Sequence, residues 1–357
     1  NLKYFLHHKS KIDYEWSGGS PKVGNLFNIK ELELLLGLNA RKPSDELKNI
    51  HFDLAHSIQA MYEEAFFNIL EVSHKKYGLD NLTLAGGCAM NSVANGKVYR
   101  RSSFKKVYIQ SAAGDAGGAI GAAFIVSNKL ESTNERFYMD HAYWGPFFNN
   151  DYHQKLLHMR EDELNDKGSY IELIDNEDKL CSLTAKAISE GLVIGWFQGR
   201  MEWGPRALGN RSILGDPRRS NMKDILNIKI KRRESFRPFA PSILREKVNE
   251  WFEEDDDVPF MMKVFQIRKA KRDQIPAVSH VDGSGRLQTV SASSNPRYFK
   301  LISCFEEITG VPILLNTSFN ENEPVVCRPE EALNTFLRSK MDLLVVGNWL
   351  VRRGNNI

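Results

Sequence analysis

The chain has 357 residues, 42% apolar and 26% charged, with a formal net charge of +3. That length is long for one domain and suits two with separate cores, and the balance excludes a disordered or fibrous polypeptide. No run approaches the roughly 18 to 20 apolar residues of a bilayer span, and Asn1 opens no signal-peptide pattern, so the expected location is cytoplasmic. Cys88, Cys181, Cys304 and Cys327 show no paired spacing and are expected to be buried thiols rather than a disulfide frame or zinc site. The opening Leu2-Lys3-Tyr4-Phe5, with no initiating Met, reads as a cut inside a longer protein.

In chain order, Leu54, Ile58, Met61, Ala65 and Ile69 recur by four, three, four and four, which predicts an amphipathic helix from about Asp53 to Tyr77. Leu82 to Ala85 reads as a strand entering Gly86-Gly87-Cys88-Ala89-Met90-Asn91-Ser92. Paired glycines there let the backbone approach a ligand, with Asn91 supplying amide contacts; a plain strand-to-helix turn is the other reading. Val107 to Ile109 reads as a second strand, entering Ala113-Gly114-Asp115-Ala116-Gly117-Gly118. Its carboxylate reads either as a ligand for a cation or as the N-cap of the helix that follows. Residues 130–168 are polar, with one short helix, and are expected to form a linker between a domain at 1–129 and another at 169–357.

The second block is expected to hold a helix from Asp178 to Glu190 and a buried strand from Leu192 to Phe197. Then charge concentrates: from Arg200 to Arg237 there are eleven Lys or Arg against Glu202, Asp216, Asp224 and Glu234. Arginines among Gly and Pro, as in Gly199 to Arg218, suit bidentate recognition of phosphate or carboxylate from a rigid loop. The run Lys229 to Pro241 repeats the theme. Nucleic acid is not expected, since no recognition helix, zinc module or aromatic-striped sheet accompanies the charge. Asp282 to Val290 and Leu315-Asn316-Thr317-Ser318-Phe319-Asn320 read as polar loops bounded by strands. Strands are expected near Ile313 to Leu315 and from Leu343 to Val346, with a helix from Pro329 to Ser339, opened by Pro-Glu-Glu, between them.

Together the strings Gly204-Pro205-Arg206-Ala207-Leu208-Gly209, Phe236-Arg237-Pro238-Phe239-Ala240-Pro241 and Leu315 to Asn320 resemble the O-carbamoyltransferases of the nodulation and antibiotic-tailoring type. The resemblance runs over nearly the whole chain. It implies an α/β protein: the second half of an actin/sugar-kinase-like domain (1–129), then a YrdC-like domain with a twisted mixed sheet (169–357). It also implies an enzyme that uses carbamoyl phosphate and ATP to form carbamoyl adenylate and passes the carbamoyl group to a hydroxyl of a small acceptor. On that basis Lys231, Arg206, Arg286 and Ser318 are the expected catalytic residues. Asn316, Arg237, Gly86, Gly87 and Asn91 are expected at substrate and ATP, and Asp115 at a metal.

A dianionic phosphate and a triphosphate repel unless fixed cations neutralise them, which is the part expected of Arg206, Lys231 and Arg286. Mg2+ is expected to arrive with the nucleotide. The family's His-x-x-x-His metal pair is missing, since His51 and His56 are five apart. A transition metal such as Fe2+ is therefore expected at Asp115 only in a full-length protein, and this piece is expected to lack part of the transfer site. Two other readings are an actin/sugar-kinase-like ATP phosphotransferase, suggested by the glycine turns, and a non-catalytic basic binding module.

Overall fold

The computed structural model describes residues 2–9, 13–15, 22–24, 26–42, 44–131, 137–231 and 237–354. The chain divides into two compact units, Asn1–Glu64 and Ala65–Ile357. In the first, β1 (Asp13–Glu15) and β2 (Lys22–Gly24) form an antiparallel pair. Helix α1 (Ile29–Leu36) stops at Gly37, whose left-handed φ of 65° lets its N–H turn back to the Glu33 carbonyl. Helix α2 (Asn49–Tyr77) covers the predicted amphipathic stretch.

The second unit takes in the end of α2 from Ala65 and then a small parallel pair, β3 (Asn81–Leu84) and β4 (Lys106–Ile109). Between them lie α3 (Ser92–Gly96) and α4 (Val98–Arg101), and α5 (Gly117–Glu131) follows β4. This is the predicted strand, glycine turn, helix succession, twice over.

Next come α6 (Asn150–Met159), α7 (Glu161–Asp166), β5 (Ser169–Leu173), α8 (Glu177–Ser189), β6 (Ile194–Phe197), β7 (Arg211–Gly215) and α9 (Met222–Asp224). A π-helical turn at Ile225–Ile230 leads on to β8 (Ala240–Leu244), α10 (Val248–Trp251), β9 (Lys263–Gln266) and β10 (Ser284–Val290). The chain continues through α11 (Pro296–Thr309), β11 (Ile313–Ser318), α12 (Pro329–Arg338), β12 (Leu343–Val346) and β13 (Trp349–Arg353).

Nine of these strands form one mixed sheet in the order β5-β13-β12-β6-β7-β11-β8-β10-β9. Parallel pairing joins β12 to β6 and β10 to β8; the other neighbours are antiparallel. The fold class is therefore mixed α/β, as expected. Central strands such as Ile194–Phe197 and Leu343–Val346 are buried at every residue, which is why they read as continuous apolar runs rather than alternating ones. Helices α8 and α11 begin at Asn176 and Asn295, whose side chains accept backbone N–H groups of Lys179 and Tyr298.

Two expectations differ from the structure. Asp282 to Val290, expected as a loop, supplies strand β10, and the strand expected near Ile313 to Leu315 runs on through Ser318 as β11, taking in part of the expected loop from Leu315 to Asn320. Their polar side chains pair across the sheet, so the residues that read as turn chemistry are buried without leaving the ladder. The segment 137–168, expected as a linker, carries two helices, and Leu156, Leu157 and Leu164 belong to the main core. Its apolar residues are few but spaced to face inward. The thiols also depart from expectation. Only Cys181 is buried, its pKa pushed up to about 12 by that burial, whereas Cys88 is exposed on the turn after Gly86-Gly87.

Candidate active site

The site is built from two glycine turns, one arginine-bearing loop and one face of the large sheet. At the ends of β3 and β4 the turns lie side by side, and the Gly86 N–H donates to the Ala113 carbonyl at 2.7 Å. Gly86 has a φ of 104°, which a side chain would disfavour. Asn91 uses its side-chain oxygen to cap α3, accepting the Ala94 N–H at 3.1 Å, so that oxygen is turned toward the chain. At the second turn Gly117 packs so closely that a Cβ would sit 2.4 Å from the Ala112 carbonyl oxygen. Asp115 is exposed, and among the described residues its carboxylate has no hydrogen-bond or ion-pair partner. The capping reading of Asp115 is therefore not what the geometry shows. Its carboxylate lies on a cleft of about 1060 Å³ shared with Trp144, Arg200, Trp203, Pro205 and Cys327. Asp115 and Gly86 also share a neighbouring hollow of about 580 Å³.

The loop between β6 and β7 is locked to this turn. Ser111 Oγ donates to the Trp203 carbonyl at 2.7 Å, and Gly204, with a φ of 131°, lies where a Cβ would meet the Ser111 carbonyl oxygen at 2.6 Å. Inside the loop the buried Glu202 carboxylate accepts the N–H groups of Leu208, Asn210 and Arg211 at 2.7, 2.7 and 3.3 Å.

The arginines that looked alike in sequence now separate. Arg211 is fully buried; it lies over the Phe197 ring and donates to the carbonyls of Gln198, Gly199, Asn210 and Pro146. Burial pushes its pKa down to about 10, against the pull of Glu202 and Cys327. Arg218 is bound to the buried Asp216 carboxylate, and Arg200 donates to the Gly145 carbonyl. Arg206 differs. Its guanidinium is largely buried and its pKa lowered by that burial, yet among the described residues it has no hydrogen-bond or ion-pair partner.

Below the loop a buried polar row crosses the sheet. Asn316 on β11 donates to Ser242 Oγ on β8 at 3.1 Å, Gln288 Oε1 on β10 at 3.0 Å and the Ala207 carbonyl at 3.1 Å. Gln288 donates to the Leu208 carbonyl at 2.7 Å. Alternation along a strand puts Ser318 on the Asn316 face and Arg286 on the Gln288 face. The residue that follows the π-helical turn, Lys231, is 2% exposed. Its ammonium donates to the Ser318 carbonyl at 2.5 Å, the Asn320 carbonyl at 2.8 Å, Asn320 Oδ1 at 2.7 Å and Ser318 Oγ at 3.2 Å.

Thus Arg206 is one position from Ala207, whose carbonyl Asn316 binds, Lys231 contacts Ser318 directly, and Ser318 and Arg286 each lie two residues along their strands from Asn316 and Gln288. Arg237 is exposed at the edge of 232–236, which lie outside the described residues together with Phe236 of the expected string. Glu202, Ser242 and Gln288 were not singled out in sequence. Gln288 was legible, since Arg286-x-Gln288 has the two-residue repeat of one strand face, but not once that segment was read as a loop.

The candidate site is thus a buried polar row on a mixed α/β sheet beneath an arginine-bearing loop, beside a glycine turn with one exposed carboxylate. The family descriptions "Carbamoyltransferase N-terminus" and "Carbamoyltransferase C-terminus" match residues 19–124 and 185–353. Nodulation protein NolNO of Sinorhizobium fredii is 45% identical over 90% of this chain and 47% of that protein. For nodulation protein NolO of Bradyrhizobium diazoefficiens the identity is 44%, over 90% and 58%. An uncharacterized Synechocystis protein is 42% identical over 93% of this chain and 57% of its own length. The chain belongs to the carbamoyltransferase family. It spans about half the length of these relatives. Among solved structures, full-length HypF in its phosphate- and nucleotide-bound form shows a slight likeness, with 16% identity and a TM-score of 0.32 over 47% of this chain and 21% of that one.

Proposed function

We propose that this chain carries the carbamoyl-activating part of a carbamoyltransferase. In this reading carbamoyl phosphate is hydrolysed to carbamate and phosphate. A carbamate oxygen attacks the α-phosphorus of ATP and pyrophosphate leaves, giving carbamoyl adenylate. An acceptor hydroxyl then adds to the carbamoyl carbon, loses its proton, and AMP departs.

The observation that carries the proposal is Arg206: a desolvated guanidinium without a hydrogen-bond or ion-pair partner among the described residues, held next to the Asn316 row. A cation in that state lacks the compensation that buried charges ordinarily have, and an anion supplies it. In this assignment Arg206 and Arg286 receive phosphate oxygens. Asn316 and Ser318 orient the carbamate, and Lys231 sets the shape and charge of the Ser318–Asn320 turn beneath it. Gly86, Gly87 and Asn91 belong to the turn that receives the adenylate, and Mg2+ travels with ATP.

No three His, Cys, Asp or Glu side chains are gathered for a metal among the described residues, so Asp115 alone does not fit a resident metal, and no step is routed through one. The test is product analysis. Pyrophosphate release that requires both carbamoyl phosphate and ATP supports the proposal. ADP formed with a phosphorylated acceptor points instead to a kinase, and the absence of nucleotide turnover to a binding module.

A further inference from the structure

We infer that Glu202 is the positioning residue of the site, holding Arg206 in its anion-receiving place through backbone contacts alone; this rests on the assignment of Arg206 as an anion ligand. Three observations support it. Glu202 is 5% exposed, and one carboxylate oxygen takes three backbone N–H groups, from Leu208, Asn210 and Arg211. Those donors are the groups that close residues 202–211 into a ring, and Arg206 stands midway round it. The carboxylate is thus committed to the backbone, while Arg206 has no acid of its own among the described residues.

The rest of the ring is fastened at its two edges. Trp203 and Gly204 are held against Ser111, and the carbonyls of Ala207 and Leu208 are held by Asn316 and Gln288. Within 202–211 Glu202 ties one arm of the ring to the other, and just outside it Asn210 Nδ2 donates to the Arg200 carbonyl at 2.7 Å. Several backbone N–H groups converging on one carboxylate oxygen form charge-assisted bonds, stronger than neutral ones, and they fix the curvature of the chain without touching the ligand. Without Glu202 the 203–207 segment keeps its edge contacts and loses its closure, so the Arg206 guanidinium is no longer preorganised.

The experiment measures binding of inorganic pyrophosphate and of carbamoyl phosphate by calorimetry, together with steady-state pyrophosphate release, for wild type, E202A, E202Q and I188V. Ile188 is buried in α8 and serves as a stability control. The expected result is an affinity loss of roughly tenfold or more for E202A, with recovery to within about threefold in E202Q, whose amide oxygen still accepts backbone N–H groups. In E202A the KM for carbamoyl phosphate is expected to rise more than kcat falls. I188V, compared at equal loss of Tm, is expected to bind both anions as wild type does. If E202A does not fold, E202Q and E202D carry the test, with E202D expected to lose affinity because its shorter side chain cannot span the ring. Wild-type affinity in E202A, or in E202D where E202A does not fold, overturns the inference about Glu202. Failure of the wild type to bind either anion overturns instead the reading of Arg206 on which it rests.

Discussion

Lys231 donates into two carbonyls, a hydroxyl and an amide oxygen, whereas the Arg206 guanidinium meets no protein acceptor among the described residues. The two cations therefore predict different mutant behaviour. Arg206→Ala is expected to lower pyrophosphate release by roughly 100- to 1000-fold, as loss of one preorganised donor does. Its Tm should fall little, because among the described residues no hydrogen bond or ion pair is lost with the guanidinium, only side-chain packing. Lys231→Met leaves the Asn320 carbonyl without a donor among the described residues, while the Asn320 N–H and Ser318 Oγ still donate to the Ser318 carbonyl and Asn320 Oδ1, and it is expected to cost about 1–3 kcal/mol in urea unfolding, in addition to lost turnover. Equal stability of the Lys231 variant and wild type would show that the ammonium serves the ligand and not the turn.

Among the elements, the β6–β7 loop and the β4–α5 turn behave as one piece. Ser111 Oγ bonds the Trp203 carbonyl, and Gly204 fits against Ser111 in a left-handed conformation. Gly204→Ala meets two obstacles, a disfavoured φ and a Cβ 2.6 Å from the Ser111 carbonyl oxygen. It is expected to destabilise by about 1–3 kcal/mol and to weaken anion binding at Arg206, read by thermal unfolding and calorimetry on the same samples. Retained Tm with retained binding would mean that loop and turn move apart freely. Across three neighbouring strands Asn316 Nδ2, Ser242 Oγ and Gln288 Oε1 hydrogen-bond one another, while Asn316 Oδ1 has no hydrogen-bond partner among the described residues.

At the scale of the whole molecule, pH acts through buried imidazoles. His153 is 3% exposed, and neither ring nitrogen has a hydrogen-bond partner. Burial lowers its pKa to about 4; Arg211 and Arg297 push the same way and Glu330 opposes them. Burial likewise lowers His280 to about 4, with Asp282 opposing and Arg286 and Lys223 assisting. The folded state thus prefers the neutral ring. That contribution is complete above the unfolded value near 6.5 and disappears as pH falls toward 4. For His153 the loss amounts to at most roughly 3 kcal/mol. Urea midpoints measured from pH 7 to pH 4 should fall, and His153→Phe should flatten the slope. An unchanged slope in that variant would assign the acid sensitivity elsewhere.

What the sequence by itself determined is whatever depends on local period and composition. The helix over Asp53 to Tyr77, the two strand and glycine-turn units and the Pro-opened helix near 329 were all legible from spacing and end signals, and so were the basic segment and the motif strings that carry the resemblance. Tertiary structure alone decided which arginine is left without a hydrogen-bond or ion-pair partner among the described residues. Arg200, Arg206, Arg211 and Arg218 share one composition and one loop-like context, yet carbonyls take Arg200 and Arg211, Asp216 takes Arg218 and Arg206 is left over. Which of these acceptors a given arginine reaches, from Asp216, two residues from Arg218, to Gly145, 55 residues from Arg200, depends on how the loop is folded. The same holds for β10 and β11: a polar strand and a polar loop have the same residues, and only the neighbouring strands, by satisfying those side chains, turn one into the other.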